Sequence, residues 1–193
     1  MDSARTIART VGILMLAAFL LYGIGSSIAT TGAPGALLTM GVVMMLLNSV
    51  AVIAIGALML PILRPHTLVV AIGYLATRVF EGTFLAVGAV ALLMSSVGTN
   101  FRAYNTAMTG LGVGSLFFCV ALYRSRLVPR LLAGWGFVGY AAFAAGCILE
   151  LSGVAGAGLV STIPGGLFEL FFAVWLIVRG FASSGAIRVA ARA

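Results

Sequence analysis

The sequence predicts an all-α membrane protein with six transmembrane helices in one bundle, and three observations lead to this fold class. Of the 193 residues, 62% are hydrophobic and only 8% are charged, whereas soluble domains are about half apolar and about a quarter charged. The mean hydropathy is +1.20. Six apolar runs approach the ~20 residues that a helix needs to cross a ~30 Å hydrocarbon core. A soluble fold is therefore excluded, and we expect residues 1–193 to form a single transmembrane domain.

The apolar runs predict the helices in order, at about 10–28, 36–63, 68–94, 104–123, 131–151 and 164–181. The first ends at the turn Thr31-Gly32-Ala33-Pro34, and the second stops at Arg64-Pro65-His66. The sixth begins at Pro164, which suits a first helical turn because its missing N–H costs nothing there. The first run is too long for the apolar part of a cleavable signal, about 7–15 residues, so we expect it to span the membrane.

The arginines indicate the orientation of the chain. All eleven Lys+Arg residues are arginine, and the net charge is +7. With the N-terminus inside, the cytoplasmic segments hold nine of them: Arg5, Arg9, Arg64, Arg124, Arg126, Arg130, Arg179, Arg188 and Arg192. The outer loops hold Arg102. Because arginines that flank spans are retained in the cytoplasm, both termini are expected there. Trp135 and Trp175 fall near the inner surface, as interfacial anchors do, although a core role for either stays open.

Partners and chemistry follow from what the pattern lacks. No basic stripe interleaved with aromatics lies in a soluble segment, so we expect the lipid bilayer and no nucleic acid as partner. Cys119 and Cys147 differ in predicted depth by about 18 Å, which excludes a mutual disulfide. His66 is the single histidine and lies in a turn, so the sequence predicts no metal site, no cofactor and no familiar catalytic constellation. An enzyme is the least favoured class, and homo-oligomerisation stays open.

The most informative residues are polar groups inside the predicted spans. These are Asn48 in the second span, Arg78 and Glu81 in the third, and Glu169 in the sixth. The helical rise places all four about 16–21 Å from the inner ends of their helices, near the midplane. An isolated charge there costs from ~3 to over ~10 kcal/mol, so we expect these groups to face one another inside the bundle. Four neighbours are expected to line the cluster: Tyr74, Thr77, Gly165 and Gly166.

The charges of this cluster do not balance. One arginine compensates one carboxylate, which leaves the other to hold a proton or to pair with water, an ion or a cationic substrate. This favours a small transporter or permease that handles a proton or a small polar substrate. The alternative is a structural, sensory or partner-binding subunit in which the ion pair only fixes helix packing. A water-accessible cavity at the cluster would favour the first, and a dry cluster with every polar atom paired would favour the second.

Two patterns bear on packing. Glycines recur in the fourth span, Gly110-Leu-Gly112-Val-Gly114, and in the fifth, and they predict close helix contacts. The third span contains Phe80-Glu81-Gly82-Thr83-Phe84 and the sixth contains Phe168-Glu169-Leu170-Phe171-Phe172, which agree at three of five positions. We hold as a hypothesis that the two three-helix halves form an inverted repeat.

Three separated motifs together resemble a known family. They are Gly73-Tyr-Leu-Ala-Thr-Arg78-Val-Phe-Glu81-Gly; Leu122-Tyr-Arg124-Ser-Arg126-Leu-Val-Pro129-Arg130 with Trp135-Gly136; and Pro164-Gly-Gly-Leu-Phe-Glu169-Leu. In this order they resemble the bacterial membrane family known as domain of unknown function 4386, over nearly the whole chain. The resemblance implies a multi-pass protein of the bacterial cytoplasmic membrane, with Arg78, Glu81 and Glu169 at characteristic polar positions. It implies no activity, substrate or cofactor. The second-span polar position is often acidic in the family, whereas here it is Asn48.

Overall fold

The computed structural model describes residues 2–31 and 35–182, which form six helices. The helices are α1 (Asp2–Thr30), α2 (Ala36–Leu63), α3 (Leu68–Leu93), α4 (Val97–Ser125), α5 (Arg130–Leu151) and α6 (Ala157–Val178). Each is long and apolar enough to cross a membrane. The predicted all-α fold with six transmembrane helices is therefore confirmed, and the chain is a multi-pass membrane protein.

The six helices form a closed ring. Each packs against the next helix in the chain, and α1 completes the ring against α6. Gly12 of α1 lies against Ala173 of α6, and Gly180 lies near Ala8, so the start of α1 and the end of α6 share one end of the bundle. This fixes an alternating path in which α1, α3 and α5 run one way and the other helices run back.

The two ends of the ring differ in charge. We call the end that holds the start of α1, the α2–α3 and α4–α5 connections and the end of α6 the arginine-rich end. It carries seven arginines of the described chain: Arg5, Arg9, Arg64, Arg124, Arg126, Arg130 and Arg179. The opposite end carries Arg102. Arg188, Arg192 and the predicted turn at residues 32–34 lie outside the described residues.

The helices α1 and α4 extend beyond their predicted bounds. The apolar runs predicted 10–28 and 104–123, but the helices cover Asp2–Thr30 and Val97–Ser125. Arg102 therefore lies in the second turn of α4 and not in an outer loop. A helix satisfies its own backbone polar groups, so it continues into the polar interface after the hydrocarbon core ends, whereas the apolar pattern stops there.

The start of α6 also differs from the prediction. The helix begins at Ala157, so Pro164 lies in its interior and not in its first turn. A proline there leaves the carbonyl of Val160 without its usual helical donor. The turn before it is held by other bonds: Glu150 Oε2 accepts from the Gly158 N–H at 2.8 Å, and Thr162 Oγ1 donates to Gly158 O at 2.8 Å. Glu150 was expected to be simply solvated, but its carboxylate caps this helix start.

Small residues bring α4, α5 and α6 close together. A Cβ at Gly112 would lie 2.9 Å from Tyr140 O, and one at Gly139 would lie 3.0 Å from Pro164 O. Gly136 makes room in the same way for the ring of Phe168. These contacts set the positions of Tyr140 on α5 and of the α6 segment that carries Glu169.

Candidate functional site

Arg78 on α3 is the centre of a buried polar cluster. Its Nη1 donates to Glu81 Oε2 at 2.8 Å, and its Nε donates to the Tyr74 hydroxyl at 2.9 Å. The spacings i+3 and i−4 place all three side chains on one face of the helix. The side chains of Arg78 and Glu81 are only 4% and 5% exposed, so this ion pair lies in the interior of the ring.

Glu169 reaches the cluster from α6, on the other side of the ring. Its Oε1 accepts a hydrogen bond from the Tyr140 hydroxyl at 2.7 Å and lies 3.9 Å from Arg78 Nη2. That separation is an ion pair without a hydrogen bond. Within the described residues, Arg78 Nη2 has no hydrogen-bond partner although it is buried. The cluster is therefore assembled but not fully paired.

A glycine on α2 accommodates the arginine. A Cβ at Gly56 would lie 2.8 Å from Arg78 Cβ, so any larger residue would displace the α3 face. The guanidinium carbon of Arg78 lies 5.2 Å from the ring centroid of Tyr74, a distance at which a cation is attracted to an aromatic face. The arginine is thus held by packing, a hydrogen bond and the carboxylate of Glu81.

An aromatic layer fills the bundle on the arginine-rich side of the cluster. It consists of Tyr74, Phe118, Phe168 and Phe172. The rings of Tyr74 and Phe118 stack at 4.2 Å, and those of Phe168 and Phe172 stack at 5.5 Å. Phe118 and Phe172 join the two pairs at 6.0 Å. Because all four side chains are buried and belong to α3, α4 and α6, they close this side of the site.

A cavity of about 260 Å³ lies on the other side of the cluster and is lined by residues of all six helices. Its polar lining consists of Tyr22, Asn48, Arg78, Glu81, Tyr104, Thr162 and Glu169. The rings of Tyr22 and Tyr104 stack at 5.4 Å. Tyr104 and Thr162 lie within about two turns of the starts of α4 and α6, so the cavity extends from the midplane toward the opposite end.

The electrostatics of this cavity follow from its three charged residues. Of the residues that line it, one is an arginine and two are glutamates. If both carboxylates are ionised, the site has one negative charge in excess. Glu81 is paired at 2.8 Å, whereas Glu169 is farther from the arginine and 16% exposed. The arrangement can accept a proton or a cation at Glu169.

The structure places the other residues that were expected at the cluster differently from one another. Asn48 and Gly166 line the cavity, and Tyr74 contacts Arg78 from the aromatic layer. Thr77 does not line it: its hydroxyl donates to Gly73 O at 2.9 Å, because a residue next to Arg78 in a helix points about 100° away. Gly165 instead packs against α5, where it lets the two backbones approach.

Tyr140 is the main contributor that the sequence reasoning missed. It lies about 15 Å from the start of α5, within the depth range of the charged residues. A tyrosine buried in a membrane needs a partner for its hydroxyl, so its depth was an available signal. The Tyr22–Tyr104 pair gave no comparable signal, because the contact depends on how α1 and α4 pack.

The residues predicted at the membrane surface lie at the arginine-rich end. Arg64 ends α2, and Arg124 lies in the last turn of α4, both exposed. Trp135 packs into the bundle, 5.1 Å from the Phe171 ring. The remaining predicted residues surround a second cavity: Arg126, Arg130, Trp175 and Arg179.

Comparison with known proteins gives a family. Residues 92–180 match the family described as Domain of unknown function (DUF4386). The chain carries this domain. The match confirms the resemblance over α4 to α6, and two of the three motifs that carried it, at 122–136 and 164–170, lie within the matched segment.

One curated protein shares part of the sequence. The chain is 35% identical over 107 residues to the lincomycin resistance protein LmrB of Bacillus subtilis (strain 168). The matched region covers 50% of this chain and 22% of that protein, so the similarity concerns about a fifth of its length. No solved structure matches the chain significantly.

Proposed function

We propose that this protein is a small membrane transporter that binds a proton or a small cationic substrate in its central cavity. The observation that carries the proposal is the cavity itself, since all six helices contribute to its wall and its lining includes Arg78, Glu81 and Glu169. A bundle whose ion pair served only packing would be expected to close around it, because close packing is the main favourable term between membrane helices.

The state of Arg78 also supports a site that binds something. A purely structural cluster would be expected to pair every buried donor, since an unpaired one costs about 1–3 kcal/mol. Within the described residues, Nη2 of Arg78 has no hydrogen-bond partner. Such incomplete pairing favours a cluster that changes its contacts over one that only fixes helix register.

Glu169 is the group to which we assign the proton. Glu81 already has a cation at 2.8 Å, whereas Glu169 is 3.9 Å from the same guanidinium and is held by the neutral hydroxyl of Tyr140. In the empty cavity, the Glu169 carboxylate takes up a proton and the net charge of the site becomes zero. A cationic substrate that binds there releases this proton to water, so the two compete for one carboxylate.

The similarity to a lincomycin resistance protein is in keeping with transport and suggests one compound to try. Bacteria that express this chain can be grown on lincomycin, with the Glu169→Gln variant as comparison. Higher tolerance with the wild-type chain alone would make lincomycin a substrate.

The direct test is proton movement in vesicles. The purified protein is reconstituted with an entrapped pH-sensitive dye, and a potassium diffusion potential drives protons inward. We expect wild-type vesicles to acidify faster than protein-free vesicles. Glu169→Gln should reduce the rate to that of protein-free vesicles, because the amide still accepts the Tyr140 hydrogen bond but exchanges no proton.

Glu150→Gln provides the matched control. Glu150 is the glutamate outside the cluster, and its amide can still accept the hydrogen bond from the Gly158 N–H. This variant should keep the wild-type rate. Equal rates in wild-type and Glu169→Gln vesicles would exclude Glu169 as the proton carrier. Wild-type vesicles no faster than protein-free ones would favour the alternative, a structural or partner-binding subunit.

A further inference from the structure

The second cavity lies at the arginine-rich end, where α4 ends, α5 begins and α6 ends. Its volume is about 350 Å³, and its lining includes Arg126, Arg130, Arg179 and Trp175. It is separate from the central cavity, with which it shares no lining residue. It is therefore independent of the transport that we propose.

The backbone holds this cavity in shape. α4 ends at Ser125, and Arg126 adopts the left-handed conformation with φ 54°, which turns the chain sharply toward α5. After α6, Gly180 is also left-handed with φ 72°. The Ala182 N–H then donates to Leu127 O at 2.9 Å. This main-chain bond ties the segment after α6 to the α4–α5 connection, so the two sides of the cavity are joined.

The lining offers hydrogen-bond donors and positive charge. Both ion pairs found within the described residues belong to Arg78 in the core, so no carboxylate there neutralises the three arginines. The Arg130 guanidinium is positioned over the Tyr123 ring at 5.1 Å from its centroid. The indole N–H of Trp175 is buried without a hydrogen-bond partner in the described part of the chain.

The floor of the cavity is apolar. Leu127 and Val128, which line it, are 5% and 3% exposed, and Phe181 adds an aromatic wall. The site therefore combines cationic donors with apolar surface at the ends of three membrane helices. A topology signal alone explains arginines at this end, but not their convergence on one cavity: Arg124, two residues before Arg126, is exposed and does not line it.

We propose that this cavity binds a phosphate group, and specifically the phosphate of an anionic phospholipid headgroup. Guanidinium groups pair with phosphate oxygens through two parallel hydrogen bonds, and basic pockets between membrane helices select lipid headgroups in this way. The arginines and the Trp175 N–H contact the phosphate, while Leu127, Val128 and Phe181 contact the glycerol and the upper acyl chains. The bilayer interface places such a lipid at the entrance of the cavity.

The test compares two triple variants of the full chain. The first is Arg126→Gln with Arg130→Gln and Arg179→Gln, which empties the cavity of charge. The second is Arg5→Gln with Arg9→Gln and Arg64→Gln, which removes the same charge from the same end outside the cavity. Binding of phosphatidylglycerol to each purified protein in uncharged detergent is measured by native mass spectrometry. We expect the first triple variant to bind about 10-fold or more weakly than wild type and the second to bind nearly as well.

Three further results discriminate. An equal loss in both triple variants, or a loss in neither, would overturn the site, because general attraction to the charged end would then account for binding. Inorganic phosphate that competes with the lipid at similar concentration would support the phosphate site but assign it to free phosphate. Trp175→Phe removes the indole donor without changing charge and serves if the triple variant does not fold. It should weaken binding a few-fold, and unchanged binding would contradict the assignment.

Discussion

Arg78 contacts both carboxylates of the central cavity, and this makes it the residue on which the cluster depends. It pairs with Glu81 at 2.8 Å and lies 3.9 Å from Glu169, with an additional hydrogen bond to Tyr74. A buried ion pair adds little net stability, because both partners lose their hydration. Removing one partner is costly, since the other charge stays buried without compensation.

We therefore expect Arg78→Ala to destabilise the folded protein by about 3–5 kcal/mol. The measurement is thermal unfolding in detergent, with Arg102→Ala, an exposed arginine of α4, as the control that should unfold like wild type. Combining Arg78→Ala with Glu81→Gln should recover much of the loss, because no unpaired carboxylate then remains beside the cavity created. Wild-type thermal stability in Arg78→Ala would contradict this account of the cluster.

The residues of the cluster could be anticipated from depth along each helix, but their contacts could not. Arg78, Glu81 and Glu169 are recognisable because each lies near the midplane of an apolar run. The bond from Tyr140 to Glu169 depends on the rotation of α5 against α6, which the Gly139–Gly165 contact determines. Thr77 shows the converse error: nearness in sequence to Arg78 suggested a lining role that the direction of its side chain excludes.

At the scale of the helices, small residues decide how closely neighbours approach. Gly25 of α1 and Gly41 of α2 face each other: a Cβ at Gly25 would lie 2.8 Å from Gly41 O and 2.9 Å from Met44 Cβ. Gly23, two residues earlier on the same helix, has nothing within 4 Å of such a Cβ. The two positions therefore separate packing from helix propensity.

Gly25→Ala should weaken the α1–α2 contact and lower the unfolding free energy by about 1–3 kcal/mol, because the clash is with backbone that cannot move alone. Gly23→Ala should leave stability unchanged or raise it by up to about 1 kcal/mol, since alanine favours helix over glycine. Thermal unfolding of both variants in the same detergent measures the difference. Equal stabilities would show that this glycine does not determine the approach of α1 to α2.

The number and order of helices follow from the apolar runs alone, whereas their ends do not. Pro164 was taken as the start of α6 because proline suits a first turn, yet seven residues precede it in the helix. The capping of Gly158 by Glu150 stabilises that earlier start, and this contact exists only when α5 and α6 are adjacent. Helix ends in this chain are thus set by tertiary contacts that periodicity does not contain.

At the scale of the whole molecule, the ring places α3 and α6 across the cavity from each other. Each supplies one glutamate, and their Phe-Glu motifs led to the hypothesis of an inverted repeat. The contacts around the ring are compatible with two related halves, because α1–α2, α2–α3 and α3–α4 each have a counterpart in α4–α5, α5–α6 and α6–α1. The repeat stays a prediction, but it gives a reason why the cavity lies at the midplane, between the halves.

The orientation of this ring in the membrane is the last property that its charge distribution predicts. Seven described arginines lie at the arginine-rich end and Arg102 at the other, so the arginine-rich end should face the cytoplasm. His66→Cys marks that end and Ser152→Cys the opposite one, and both positions are exposed. In spheroplasts, a membrane-impermeant thiol reagent should label Ser152→Cys at once and His66→Cys only after permeabilisation. The native Cys119 and Cys147 are 1% and 0% exposed, so the parent protein should give little background. The reverse labelling pattern would invert the assignment, and the central cavity, which extends toward the opposite end, would then face the cytoplasm.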